Sequence, residues 1–208
     1  MITISISRKE LEKNFNRNLI GDAAKKLFSD NLFENVTVED IARAAEFGKG
    51  TLYQYFESKE EILVFVLCRG MEELCDKIRS MCLEEKDIIK SIRELVRVDY
   101  EFLAAYKNLF ISFARWQIEG SLPAHLVEMV TKLYQEKMGL MGQVVERGIE
   151  EGALLDMESK LLVRFIERCI NGFHLSFMTA GGDVSDQGKI IEFIEELIFN
   201  GILQEKRG

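Results

Sequence analysis

The sequence predicts an all-α protein of about nine helices, with an N-terminal three-helix, helix-turn-helix module and a larger helical body behind it. Three observations carry that prediction. Apolar residues recur at three- and four-residue spacing almost throughout, with no convincing strand-like alternation. A single proline, Pro123, stands in 208 residues, and proline interrupts helices by fixing φ and removing a backbone donor. Between residues 37 and 56 two short helical segments flank Glu46-Phe47-Gly48, a link with room only for a tight turn.

Leu11, Phe15, Leu19, Ala23 and Leu27 step by four, with Ile20, Ala24 and Phe28 beside them. This predicts one amphipathic helix over about 8–30, stopped at Asn31, a residue that tolerates the left-handed conformation. Thr37 supplies an N-cap for a short helix from Val38 to Ala45, with Glu39 and Asp40 in the first turn, where the helix dipole favours acids. After the turn, Lys49 to Phe56 makes a second short helix. Ser58 and Glu61 then form a capping box ahead of Ile62, Leu63, Phe65 and Val66, opening a long helix to about Leu83. Further helices are expected over 87–105, 107–119, 123–150, 157–179 and 187–203. The implied domains are 1–60, with the helix-turn-helix at about 38–57, and 61–208.

Hydrophobic residues make up 47% of the chain and charged residues 30%, a globular balance. The net charge of −8 argues against a general nucleic-acid coat. Residues 1–60 hold 9 Lys+Arg against 10 Asp+Glu, leaving 18 and 25 for the rest, so the acidity belongs to the body. No apolar run approaches the roughly 20 residues a membrane span needs, and Met1 to Ser7 is too short and polar for a signal peptide. A cytoplasmic location is expected, with no membrane partner. Cys68, Cys75, Cys82 and Cys169 fit a reducing interior. The first three repeat every seven residues, roughly 10 Å along a helix, too far apart for a disulfide. His125 and His174 have no ligand-type neighbour three or four residues away, so no metal or other cofactor is expected. No nucleophile–base pair or phosphate loop points to an enzyme.

A pair of short helices on a tight turn is a poor core but presents a helix end well, and in a helix-turn-helix the second helix enters the major groove. Lys49 sits at the leading end, in reach of a phosphate or a guanine edge. Gly50 lets the backbone approach closely. Thr51, Tyr53 and Tyr55 offer hydroxyls to phosphate oxygens, Gln54 can hydrogen-bond a base edge, and Leu52 and Phe56 face inward. Thr37 and Lys59 flank the segment as phosphate anchors.

The run Thr37-Val38-Glu39-Asp40-Ile41-Ala42 and the run Lys49-Gly50-Thr51-Leu52-Tyr53-Gln54-Tyr55-Phe56-Glu57-Ser58-Lys59-Glu60-Glu61-Ile62 closely resemble the TetR/AcrR family of bacterial regulators, over roughly residues 15–63. The resemblance implies a homodimer that binds a palindromic operator, usually as a repressor, and is released by a small-molecule effector in the C-terminal body. It also implies DNA contacts from Thr37, Lys49, Gly50, Thr51, Tyr53, Tyr55 and Lys59. The family usually has Gly where Leu32 and Glu46 stand, and Ser or Thr where Gly48 stands. Leu32 implies a differently closed first helix, Glu46 an acid near the DNA-facing turn, and Gly48 the loss of a side-chain cap.

In the body, Phe102, Tyr106, Phe110, Phe113 and Trp116, together with Asn171 and His174, read as an apolar ligand pocket with polar fixers, although each aromatic could equally serve core packing. The body's charge and aromatic content point to an apolar or cationic effector. Leu162, Phe165, Ile166, Cys169, Ile170, Phe173 and Phe177 make one broad stripe, and Ile190 to Ile202 a wider one. Phe165, Cys169, Phe173, Ile194, Leu197 and Ile198 are the expected dimer contacts, two copies forming a four-helix bundle. The rival reading is a helical small-molecule-binding protein whose head has lost DNA affinity.

Overall fold

The computed structural model describes residues 7–179 and 187–202. Among them stand eight α-helices and no strand: α1 (Arg8–Asp30), α2 (Val38–Ala44), α3 (Lys49–Leu52), α4 (Lys59–Lys77), α5 (Ile88–Glu119), α6 (Ala124–Glu150), α7 (Ser159–Thr179) and α8 (Gln187–Ile202). A 3-10 turn (Phe33–Asn35) precedes α2, and a π-helical turn (Ile78–Leu83) ends α4. The count falls one short of nine because the helices expected over 87–105 and 107–119 are one. No glycine, proline or capping residue separates Ala105 from Lys107, so the backbone ladder has no reason to stop there.

Two compact units form. The first runs up to Arg69 and takes in Tyr106–Val130; the second comprises Gly70–Ala105 and the chain from Thr131 on. The unit that holds the helix-turn-helix therefore extends past the expected boundary at 60. Asn108 donates to the carbonyls of Phe28 (3.2 Å) and Ser29 (3.0 Å), and Arg115 pairs with Glu34. The Trp116 ring meets Phe33 edge-on at 4.4 Å.

α1 opens on a reciprocal capping box. The Ser7 hydroxyl accepts from the Glu10 amide (3.2 Å) and Glu10 accepts from the Ser7 amide (3.0 Å). It buries Ile20, Gly21, Ala24 and Phe28, while Leu11, Phe15 and Leu19 are exposed. The set beside the stepped stripe is thus the inner face, and the stripe itself runs from exposed at Leu11, Phe15 and Leu19 to half-buried at Ala23 and Leu27. Asn31 does stop the helix, but in an extended conformation (φ −133°) and not the left-handed one expected; its side-chain amide donates to the Leu27 carbonyl (3.0 Å), which also accepts from the Asn31 backbone amide (3.0 Å).

In the second unit, Lys137 is buried against Asp99 (3.1 Å) and lies 3.8 Å from Glu167, which accepts from the Tyr134 hydroxyl (2.7 Å). Charges this deep persist only when paired. The π-turn ends with its carbonyls bound: Ser91 donates to Cys82 (2.6 Å) and Arg147 to Leu83 (3.1 Å). On α8, Ile194 and Ile198 are fully buried within the single chain, and Arg93 of α5 pairs with Glu195 (2.6 Å) and stacks on Phe199. These two isoleucines face their own unit, which corrects their place among the expected dimer contacts. Phe165 and Leu197 do point outward, Cys169 is half-buried, and the Phe173 side chain lies outside the described residues. Burial pushes the Cys75 thiol up to about 11, that of Cys82 up to about 12, and raises that of Cys169, so none of the three is a ready thiolate. Among the described residues, no helix is long and apolar enough to cross a membrane.

Three helices end in the same closure, in which one residue adopts the left-handed conformation and two amides turn back onto the last carbonyls. After α5 it is Gly120 (φ +64°) and after α6 Gly152 (φ +69°); after α2 it is Glu46 (φ +60°). There Phe47 N donates to the Ala42 carbonyl (2.8 Å) and Glu46 N to that of Arg43 (3.2 Å). A side chain in that region costs roughly 1–2 kcal/mol. Glu46→Gly is therefore expected to stabilise the protein by about 1 kcal/mol, read as a raised midpoint in denaturant unfolding; an unchanged or lowered midpoint would show the turn to be unstrained.

Candidate nucleic-acid interface

The helix-turn-helix is built from caps and two apolar anchors. The Thr37 hydroxyl accepts from the Asp40 amide (3.1 Å) and donates to the Asp40 carboxylate (2.6 Å), which also accepts from the Thr37 amide (3.0 Å). Those bonds, with Arg43 beside them, hold the Asp40 carboxyl below its usual range. Gly48 starts α3 with no side-chain cap, as its lack of a hydroxyl requires.

α3 is shorter than the eight residues expected. It is one turn, Lys49–Leu52, after which Gln54 and Tyr55 donate to carbonyls three residues back (3.0 Å each), tightening the coil. Leu52 and Phe56 are buried, as their spacing predicted. Gly50 faces open space, so the backbone there can be approached closely. Tyr53 and Gln54 are exposed and Thr51 is half-exposed.

Two expected phosphate anchors are engaged elsewhere. Lys49 pairs with Glu39 of α2, which raises the ammonium above its ordinary range and lowers the Glu39 carboxyl. Lys59 turns inward: its ammonium donates to the carbonyls of Phe33 (2.9 Å) and Val36 (2.7 Å) and lies 3.8 Å from the centre of the Phe33 ring. Burial lowers its proton affinity. It fixes the loop that presents Thr37, with one proton left for a phosphate. Tyr55 is half-buried, edge-on to Phe47; its hydroxyl accepts from Asn16 (2.8 Å), which leaves its own proton available.

Asn16 and Arg17 are site residues that sequence reasoning missed. Arg17 donates to the Tyr55 carbonyl (2.5 Å) and to Glu61 (3.2 Å), and its guanidinium lies 4.1 Å from the Phe56 ring centre and 4.8 Å from that of Phe65. The available signal was phase, because Arg17 falls one turn before Ile20 and Gly21 on the inner face of α1. At the start of α4, Ser58 accepts from the Glu61 amide (3.1 Å), while Glu61 reaches the Glu57 amide (2.6 Å).

The residues expected to line a ligand pocket are divided. Tyr106, Phe110, Phe113 and Trp116 belong to the first unit, Phe102 and Asn171 to the second, and the His174 side chain lies outside the described residues. Trp116 is committed to Phe33, and Tyr106 lies beneath the Lys25 ammonium at 4.5 Å. In the second unit a cleft of about 730 Å³ opens between α6 and α7, floored by Met138 and Val163 and edged by Lys160, Arg164 and Arg168.

Residues 20–65 match the family model described as "Bacterial regulatory proteins, tetR family". The HTH-type transcriptional repressor KstR2 of Rhodococcus jostii (strain RHA1) is 27% identical over 158 residues, 74% of this chain and 76% of that protein. An HTH-type transcriptional regulator of Staphylococcus aureus (strain USA300) is 29% identical over 100 residues, 48% of this chain and 51% of that protein. Among solved structures, the transcriptional regulator FadR from Bacillus subtilis in complex with stearoyl-CoA aligns with a TM-score of 0.70 at 21% identity, covering 88% of this chain and 98% of that one. Joined to the helix-turn-helix geometry of residues 37–56, these matches show residues 20–65 to be a helix-turn-helix segment of the tetR-family kind, in a chain that is similar to transcriptional regulators of that family.

Proposed function

We propose that the protein is a homodimeric, cytoplasmic repressor that reads a palindromic operator through the Lys49–Tyr55 segment and leaves it when a small molecule binds the helical body. The observation that carries this reading is the one-turn α3, whose open Gly50 backbone and exposed Tyr53 and Gln54 stand clear of the buried Leu52 and Phe56. Thr51, Tyr53 and the free proton of Tyr55 serve phosphates, Gln54 serves a base edge, and Thr37 and Lys59 set the flanking backbone. Dimer symmetry places two such helices about one DNA turn apart. The likeness to a regulator solved with stearoyl-CoA supports an effector with a large apolar part.

The second reading, a small-molecule-binding protein with weakened DNA affinity, draws on the pairing of Lys49 with Glu39 and of Arg43 with Asp40. Fluorescence anisotropy on duplexes from the promoter of the neighbouring gene separates the two. Tyr53→Ala and Lys49→Ala are each expected to weaken operator binding about tenfold or more, as lost contacts of 1–3 kcal/mol imply, with an unchanged melting temperature. Full affinity in both variants would sink the assignment of the reading segment. Because Glu39 competes with phosphate for Lys49, Glu39→Gln is expected to tighten binding by roughly threefold to tenfold and to steepen the salt slope by about one. No salt-dependent binding of the wild type to any duplex would favour the second reading.

A further inference from the structure

Lys160, Arg164 and Arg168 stand four residues apart on α7, one cation per helical turn, all exposed and all edging the cleft against α6. Like charges at this spacing repel one another. None of the three is in an ion pair with a described residue, although the chain holds 35 acids to 27 bases. The acids of the cleft are already bound, Glu146 by the Ser159 hydroxyl (3.0 Å) and Glu167 by Tyr134 (2.7 Å). On α8 the pattern has the opposite sign: Glu192 and Glu196 are exposed, four residues apart, and in no ion pair among the described residues.

Each charged row runs beside an exposed apolar row. Leu161 and Phe165 follow Lys160 and Arg164 on α7, at 53% and 46% exposure; Phe193 and Leu197 follow Glu192 and Glu196 on α8, at 51% and 45%. An apolar seam with one cationic and one anionic flank is the arrangement by which paired helices choose partner and register. Within the chain α7 packs on α8. In a ring of four helices made from two such pairs about a two-fold axis, the partner's α8 lies beside α7 on the flank away from its own α8. The cleft between α6 and α7, edged by the cation row, is the opening on α7 in which we seat that helix.

We propose that the α6–α7 cleft receives α8 of a second copy of this chain, with Glu192 and Glu196 of each copy pairing with two neighbouring members of the Lys160–Arg164–Arg168 row of the other. The homodimer proposed above is presupposed; what is added is the electrostatic code that sets its register and excludes other regulators of similar fold. Spacing suits it, because two acids about 6 Å apart along α8 match any adjacent pair of cations along α7. Arg164, the middle member, is used in either register.

A charge exchange tests it. One variant carries Arg164→Glu and Arg168→Glu, giving acid on both helices; the other carries Glu192→Arg and Glu196→Arg, giving cation on both. Sedimentation equilibrium is expected to show each variant alone dimerising at least about tenfold more weakly than wild type, with unchanged helical circular dichroism. Their equimolar mixture, with one tagged for detection, is expected to form heterodimers as tightly as wild type, since both contacts are then complementary. A neutral Arg164→Gln, Arg168→Gln variant is expected to fall between. Variants that dimerise as wild type does, or a mixture that fails to recover, overturn the pairing and leave the dimer standing. In that case, saturable binding of inorganic phosphate to the cleft would mark the cation row as a small-anion site. A wild-type protein that is monomeric at micromolar concentration overturns both the dimer and the pairing.

Discussion

A helix of one turn has no stability of its own: nucleation costs more than its few hydrogen bonds return, and even isolated helices of a dozen residues are marginal in water. α3 is such a helix, and the DNA-facing end of the molecule depends on what holds it from behind. Leu52 and Phe56 are about 1% exposed, and burying each contributes roughly 2 kcal/mol. Arg17 closes the other end. It takes the Tyr55 carbonyl that a longer helix would have used internally, and lies against the Phe56 and Phe65 rings while Glu61 balances its charge. Asn16 holds the Tyr55 hydroxyl from the same face of α1. On the proposed reading, Tyr53 and Gln54 would face DNA while Asn16, Arg17, Leu52 and Phe56 aim them from behind.

That division explains how a near-neutral head can serve a polyanion. Arg17, Arg43, Lys49 and Lys59 all have partners in the free protein. The inward turn of Lys59 gives a cation a structural task, tying α4 to the loop that ends in the Thr37 cap. Surface pairs such as Lys49 with Glu39 are weak and easily exchanged, so phosphate can displace the acid on one side without disturbing the buried ties on the other. If this surface reads DNA as proposed, the pairing of these four cations favours shape and hydroxyl geometry over long-range attraction.

The head was legible in the sequence because its signals are local. Thr37 with Asp40, Ser58 with Glu61, the tight link at Glu46 and the four-residue step from Leu52 to Phe56 each depend on a few adjacent residues, and each stands where the sequence puts it. Two things were less legible. The phase of α1 stayed open because both candidate faces are apolar, and only packing against α4 decides between them: a Cβ at Gly21 would lie 2.8 Å from Phe65. The length of α3 was overestimated because periodicity cannot distinguish an α-helical second turn from the tighter coil that the Arg17 tie imposes.

In the body the ambiguity has a different origin. A stripe such as that of α8 has the same periodicity whether it faces its own core, a ligand or a second chain, so sequence alone groups Ile194, Leu197 and Ile198 together. Burial separates them: Ile194 and Ile198 turn inward beside Phe199, while Phe193 and Leu197 turn outward. The outward members then gain meaning from the charges next to them, which an apolar pattern ignores. An exposed apolar row flanked by acids that make no ion pair among the described residues is a poor solvent surface, costly in hydration on one side and in self-repulsion on the other. Both costs fall if the row meets its complement, and a cationic row of the same spacing stands one helix away.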